Sequence, residues 1–172
     1  GRAKDVIIRG GHNIDPAVIE ETLLKHPDVL LAAAVGKPDA HAGELPVAYV
    51  QLIADARTDA DTLNRFVLDN IPERAAAPKD IIILPRMPLT DVGKAAKPQL
   101  RRDAAQRLFA AVLADAAGPQ ARVAVEVVPD DTSGTKANIA VTPEGAAAKA
   151  DVEQRIRATM AAYPTAYVIQ WT

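Results

Sequence analysis

Apolar and polar positions along the chain switch between a period of two and a helical period, and each switch marks an element. Val6-Ile7-Ile8 is a β-branched run closed by Gly10-Gly11. It predicts a strand entering a hairpin turn, because glycine reaches positive φ without steric cost. Asp15-Pro16 then opens a helix: the carboxylate accepts from a free N–H group, and proline has no N–H to leave unpaired at the first helical position. Ile19 and Leu23 share one face of it, Glu21 and Lys25 form an i,i+4 pair on the other, and His26-Pro27 ends it. The segments Val29 to Val35 and Pro46 to Ile53 read as strands joined by a polar stretch containing Gly36, Pro38 and Gly43. A helix from Asp59 to Asn70 follows, capped by Thr58 or Asp59 and stopped before Pro72. Ile81 to Leu84 is apolar throughout, which predicts a central strand covered on both faces. After a loop stiffened by Pro85 and Pro88, a helix starts near Pro98 and repeats Leu100, Ala104, Leu108 and Val112 on one stripe, ending between Ala116 and Pro119.

The remainder repeats an earlier order. A strand near Arg122 to Val128, a turn at Asp130 to Gly134, a strand near Lys136 to Thr142, a helix near Ala150 to Ala162 and a strand at Tyr167 to Trp171 give strand, strand, helix, strand again. A shift of 90 positions sets Ala60, Asp61 and Arg65 over Ala150, Asp151 and Arg155. In such a unit Val123, Val125 and Val127 alternate with outward residues, and Ile156 and Met160 cover one face of the sheet. The fold class expected is therefore α+β: a small mixed sheet flanked by helices with an N-terminal β-hairpin over 1–117, then a second small ββαβ lobe over 118–172.

Composition narrows the partners. The 172 residues are 49% hydrophobic, enough for a buried core, and 20 basic against 22 acidic residues leave a formal charge of -2. No broad positive field is available for nucleic acid or an anionic membrane. No apolar run approaches the roughly 20 residues that span a bilayer, and the chain has no cysteine, which suits a reducing cytoplasm and excludes a thiolate metal site. Gly1-Arg2-Ala3-Lys4-Asp5 runs straight into a strand, as expected of a piece of a longer protein.

Two stretches are unusual on physical grounds. The first is Gly1-Arg2-Ala3-Lys4-Asp5-Val6-Ile7-Ile8-Arg9-Gly10-Gly11-His12-Asn13-Ile14-Asp15-Pro16, with Glu20 following; the second is Pro88-Leu89-Thr90-Asp91-Val92-Gly93-Lys94, with Leu100-Arg101 following. Together they resemble the hinge-and-hairpin motif and the final lysine motif of the adenylate-forming superfamily, in order and at the family's spacing, over roughly 1–115. The resemblance implies the small C-terminal lid of an AMP-forming acyl-CoA synthetase, a carboxylate–CoA ligase. In its first half-reaction a carboxylate attacks the α-phosphate of ATP, where negative charge crowds the phosphorus and a preplaced cation is the remedy. The resemblance makes Lys94 that cation, with Gly93 and Thr90 supporting its loop. It makes Lys4, two positions after the motif arginine, the hinge about which the lid turns for thioester formation, and places Gly10 and Gly11 along the pantetheine tunnel. A tight hairpin needing glycine for its turn explains the pair equally well.

The resemblance further implies ATP, Mg2+ and coenzyme A, bound mainly by an N-terminal adenylation domain of the same chain, and a small carboxylic acid as substrate. The alternative is a non-catalytic binding or regulatory module derived from such a lid. His12, His26 and His41 have no second ligand at metal spacing and read as structural or solvated, so no metal site is expected. Ser133 reads as a turn residue; Arg101, Arg102 and Arg107 could face the CoA phosphates, but charges on an amphipathic helix are more often solvated, and they carry no assigned role. Residues 118–172 carry neither motif; they read as a degenerate copy of the lid core or as a homo-oligomer surface, with Trp171 packed or at an interface.

Overall fold

The structure, a computed structural model, describes residues 5–144 and 149–172. The chain forms two compact units, Gly1–Arg101 and Arg102–Thr172.

In the first unit β1 (Ile7–Arg9) and β2 (His12–Ile14) form a hairpin with Arg9 opposite His12. Its two-residue turn is Gly10 at φ 56 and Gly11 at φ 80, the doubly left-handed geometry that matches strand twist and that L side chains resist. Helix α1 (Pro16–Leu24) starts with proline at its first position and Asp15 as its cap, accepting from the Ala17 N–H at 3.0 Å. Strands β3 (Val29–Asp39) and β4 (Gly43–Leu52) pair antiparallel, and β4 also pairs with β1. The polar stretch expected to link them is strand almost throughout. The chain reverses only across 40–42, where Asp39 Oδ2 accepts the His41 and Ala42 N–H groups at 3.0 and 2.7 Å and Gly43 takes φ 79. Gly36 sits within β3 for a packing reason: a Cβ there would lie 2.6 Å from the Glu44 carboxyl carbon, and Glu44 accepts the Ile8 N–H at 2.9 Å.

Helix α2 (Ala60–Asn70) is capped by Asp59 rather than Thr58, through the Thr62 N–H at 2.7 Å. It leads to β5 (Asp80–Ile83), which runs parallel to β4. The expectation of a central, doubly covered strand fails here. Among the described residues β5 pairs with β4 alone, Ile81 is buried and Ile83 is exposed, so an apolar run reported the run's composition and not its place in the sheet. Ile7, Ile19, Leu23, Val50, Leu63 and Val67 fill the core beneath α1 and α2.

Helix α3 (Lys97–Ala117) contains the boundary between the units, earlier than the 117/118 division expected. The reason is its buried stripe. Ala105, Phe109, Leu113 and Ala117 belong to the second core, whereas Leu108 and Val112, expected on the stripe, are only partly buried. In the second unit β6 (Ala121–Asp130) pairs antiparallel with β7 (Gly134–Pro143), and β7 parallel with β8 (Ala166–Trp171), α4 (Lys149–Met160) lying between them in sequence. Val123, Val125 and Val127 face the core and alternate with exposed Arg122, Ala124 and Glu126; Ile156 and Met160 are buried under the sheet. Phe109 meets Tyr163 edge to face at 5.2 Å. Trp171 is packed: its indole N–H donates to Glu153 at 3.1 Å, and the Lys149 ammonium lies 5.2 Å from its ring centre.

Each unit thus contains helix, antiparallel hairpin, helix and a parallel third strand. The two hairpins even share a turn. Asp130 Oδ2 accepts the N–H groups of Thr132 and Ser133 at 3.2 and 2.8 Å, and Gly134 takes φ 79 as Gly43 does. Ser133 adds its hydroxyl to the same oxygen at 2.6 Å, the turn role expected of it. Pro38-Asp39 and Gly43 recur as Pro129-Asp130 and Gly134, one position beyond the 90-residue shift.

Candidate active-site hairpin

Residues 88–96 form a second, smaller hairpin in the first unit. Leu89 bridges Ala95, the Thr90 N–H donates to the Lys94 carbonyl at 2.7 Å, and the Ala96 N–H donates to the Pro88 carbonyl at 2.8 Å. Its tip closes when the Gly93 N–H donates to the Thr90 carbonyl at 2.8 Å, with Gly93 at φ 77, and the Lys94 N–H donates to the Thr90 hydroxyl oxygen at 3.2 Å. Only glycine holds that φ without strain. Lys94 is exposed beside the tip, and among the described residues its ammonium has no ion-pair or hydrogen-bond partner. Leu89 and Val92 flank it as exposed apolar side chains, Val92 at 80%.

Both legs of this hairpin are held. Before it, the Met87 N–H donates to Gln51 Oε1 on β4 at 2.7 Å, and the Met87 side chain is buried. After it, Lys97 pairs with Glu20 of α1 at 2.6 Å, and the same Glu20 oxygen accepts the Ala34 N–H of β3 at 2.9 Å. One helical turn on, Arg101 pairs with Asp5 at 2.6 Å. Lys94, Thr90, Lys97 and Arg101 line one concavity of the first unit, floored by Leu31 and Met87. Of the charged side chains that line it, Lys97 and Arg101 are neutralised by carboxylates, which leaves Lys94 as the cation it presents.

Gly10 and Gly11 do not line this concavity. Nothing lies within 4 Å of a Cβ built on either, so within this chain their backbone angles, and not crowding, call for glycine. Their hairpin is strapped down at both sides: Arg9 donates to the Ala75 carbonyl at 2.8 Å, and His12 Nε2 meets Glu73 Oε1 at 2.5 Å. His26 Nδ1 accepts the Asp28 N–H, so these two histidines have partners within the fold. The proposed hinge, Lys4, lies outside the described residues. Among the described residues no cluster of three or more His, Cys, Asp or Glu side chains can hold a metal ion.

Sequence reasoning missed Gln51, Asp5 and the tie between Glu20 and Lys97, and it left Arg101 solvated where the structure pairs it. Gln51 had one signal, a polar side chain within the apolar run Pro46 to Ile53. The ion pairs had none, since their partners stand far apart in sequence.

The fold of the first unit matches the C-terminal domain of adenylate-forming enzymes. The family model of the AMP-binding enzyme C-terminal domain matches residues 18–94. The marinolic acid–CoA ligase of Pseudoalteromonas sp. strain SANK 73390 is 47% identical over 146 residues, 84% of this chain and 22% of that protein. The sulfoacetate–CoA ligase of Cupriavidus necator is 45% identical over 94 residues, 55% of this chain and 18% of that protein. The crystal structure of apo MatB from Rhodopseudomonas palustris superposes with a TM-score of 0.56 at 33% identity, over 60% of this chain and 20% of that one. Over residues 18–94, within its first unit, the chain is similar to the AMP-binding enzyme C-terminal domain family. It spans about a fifth of the length of the curated relatives it matches. The 146-residue match is longer than the first unit, so the marinolic acid–CoA ligase shares part of the second as well.

Proposed function

We propose that this chain is the mobile C-terminal lid of an ATP-dependent carboxylate–CoA ligase and that Lys94 is its adenylation lysine. The observation that carries the reading is an exposed ammonium, without a counterion among the described residues, beside the tip of a glycine-closed hairpin held at both legs. In the first step a substrate carboxylate oxygen bonds to the α-phosphorus of ATP, the bond from that phosphorus to the bridging oxygen breaks, and pyrophosphate leaves. Lys94 offers its ammonium to the charge gathering on the carboxylate and phosphate oxygens, and it needs no reorganisation to do so.

In the second step the CoA sulfur, as thiolate, attacks the acyl carbonyl and AMP departs. For this step the lid turns about Lys4 and brings the Gly10-Gly11 hairpin to the reaction centre in place of Lys94. The separation of the two hairpins within one unit supports such an exchange, since Gly10 and Gly11 do not line the concavity that Lys94 lines. ATP, the acid and most of CoA are held by an N-terminal adenylation domain. Mg2+ would accompany ATP on that domain.

The second unit is read as a duplicated lid core, on the strength of its matching strand pairing and its matching Asp-to-Gly turn. The functional test is a panel of carboxylic acids offered to the full-length protein with ATP and CoA. Acyl-CoA, AMP and pyrophosphate in equal amounts are expected with at least one acid. Release of ADP and phosphate, or CoA-independent turnover alone, would overturn the reading.

A further inference from the structure

We infer that Gln51 and the Glu20–Lys97 pair are positioning residues for Lys94, each fixing one leg of its hairpin to the body of the lid. This inference rests on the adenylation role proposed for Lys94. The hairpin is short, with a single bridge pair and a three-residue tip, and isolated hairpins of this kind are marginal in water. Something must therefore hold its direction. On the incoming leg, prolines at 85 and 88 remove two amide hydrogens and leave only those of Arg86 and Met87 as handles. Gln51 takes the second of these with Oε1, from a strand that lies in the middle of the sheet.

On the outgoing leg, Lys97 is the first residue of α3, three positions after Lys94, and its ammonium meets a Glu20 oxygen already fixed by the Ala34 N–H. Both partners of that pair are about one-fifth exposed, so water screens it little. Glu20 stands at the end of the hinge motif and Lys97 just past the lysine motif. The pair therefore makes the two motifs one rigid piece, and a rotation of the lid carries Lys94 away and back without altering its pose. A misplacement of about 1 Å at a reacting group costs on the order of 100-fold in rate, so small freedoms of the legs are felt at the ammonium.

The test uses the full-length protein and measures the two half-reactions separately, pyrophosphate release for adenylation and thioester formation from a supplied acyl adenylate. Gln51→Leu is expected to lower the adenylation kcat by about 10- to 100-fold, with KM for acid and ATP changed less than about twofold and thioester formation kept. Gln51→Glu keeps the acceptor oxygen and should restore most of the rate. Lys97→Met should give the same split, with Lys97→Arg restoring it. In a Lys94→Ala background both losses should vanish, because the tethers then have nothing to position. Normal adenylation in Gln51→Leu and Lys97→Met, equal loss in both half-reactions, or a loss that persists without Lys94 would overturn the inference. If Lys94→Ala itself left adenylation intact, the lid reading would fail instead.

Discussion

Replacing Gly10 with asparagine separates the two reasons a glycine pair can stand at the tip of the first hairpin. Gly10 has φ 56, and no heavy atom lies within 4 Å of a Cβ placed on it. Asparagine is the L residue that best tolerates this region, and Asn-Gly is the favoured pair for a doubly left-handed turn. The cost to the fold is thus below about 1 kcal/mol, against about 1–2 kcal/mol for an alanine forced to left-handed φ. In a unit of this size, 1 kcal/mol shifts the unfolding midpoint by about 4–8 °C. If backbone turning were the only role, Gly10→Asn would be close to silent in every assay. If pantetheine passes against this turn, the added side chain stands in its path, and thioester formation should fall about 10- to 100-fold while pyrophosphate release is kept. Thermal unfolding together with single-turnover thioester formation in the full-length protein decides between them. Wild-type thioester kinetics in a normally stable Gly10→Asn protein would refute the assignment of this hairpin to the CoA path.

In the second unit Phe109→Ala removes a fully buried ring and its contact with Tyr163, and should cost about 3–5 kcal/mol. Urea unfolding followed by Trp171, the only tryptophan, reads this unit directly, and a loss below about 1 kcal/mol would contradict the packing described. The Asp39 and Asp130 carboxyls are held below the ordinary 3.8, Asp39 chiefly by the Ala42 N–H and Asp130 chiefly by the Ser133 hydroxyl. A depressed carboxyl gives its stabilisation in full above pH 3.8 and loses it as pH falls through the lower folded value, so both hairpin turns should loosen only below that point. Carbon NMR titration of the two carboxyls should find both midpoints under 3.8; a midpoint at or above it would show that these bonds do not form in solution.

Much of this architecture was legible because local chemistry declared it. Asp15-Pro16 marked the start of α1, Gly10-Gly11 the first turn, and the alternating valines of β6 the inner face of the second sheet. What stayed hidden depends on partners distant in sequence. Gly36 reads as a turn glycine until Glu44 is seen lying over it, and Ile81 to Leu84 read as a central strand because an apolar run does not say how many neighbours it has. The stripe of α3 was placed one residue off at Phe109 and Leu113, since alanine fills enough of that helix to make several faces look apolar. The recurring turn is written in the chain as Pro-Asp and Gly at matched spacing, one position off the register set by the helix starts. At the site, the lysine motif located Lys94, whereas the side chains that hold its hairpin became visible only when β4, α1 and α3 were brought together.

The central claim is that Lys94 serves the first half-reaction and leaves the second to the other hairpin, and Lys94→Ala in the full-length protein tests it most directly. Loss of one preplaced transition-state charge should slow pyrophosphate release by about 100- to 1,000-fold. Thioester formation from a supplied acyl adenylate and CoA should stay within about twofold of wild type, since an interaction confined to one transition state leaves the other untouched. Equal loss in both half-reactions, or undiminished pyrophosphate release, would contradict the account.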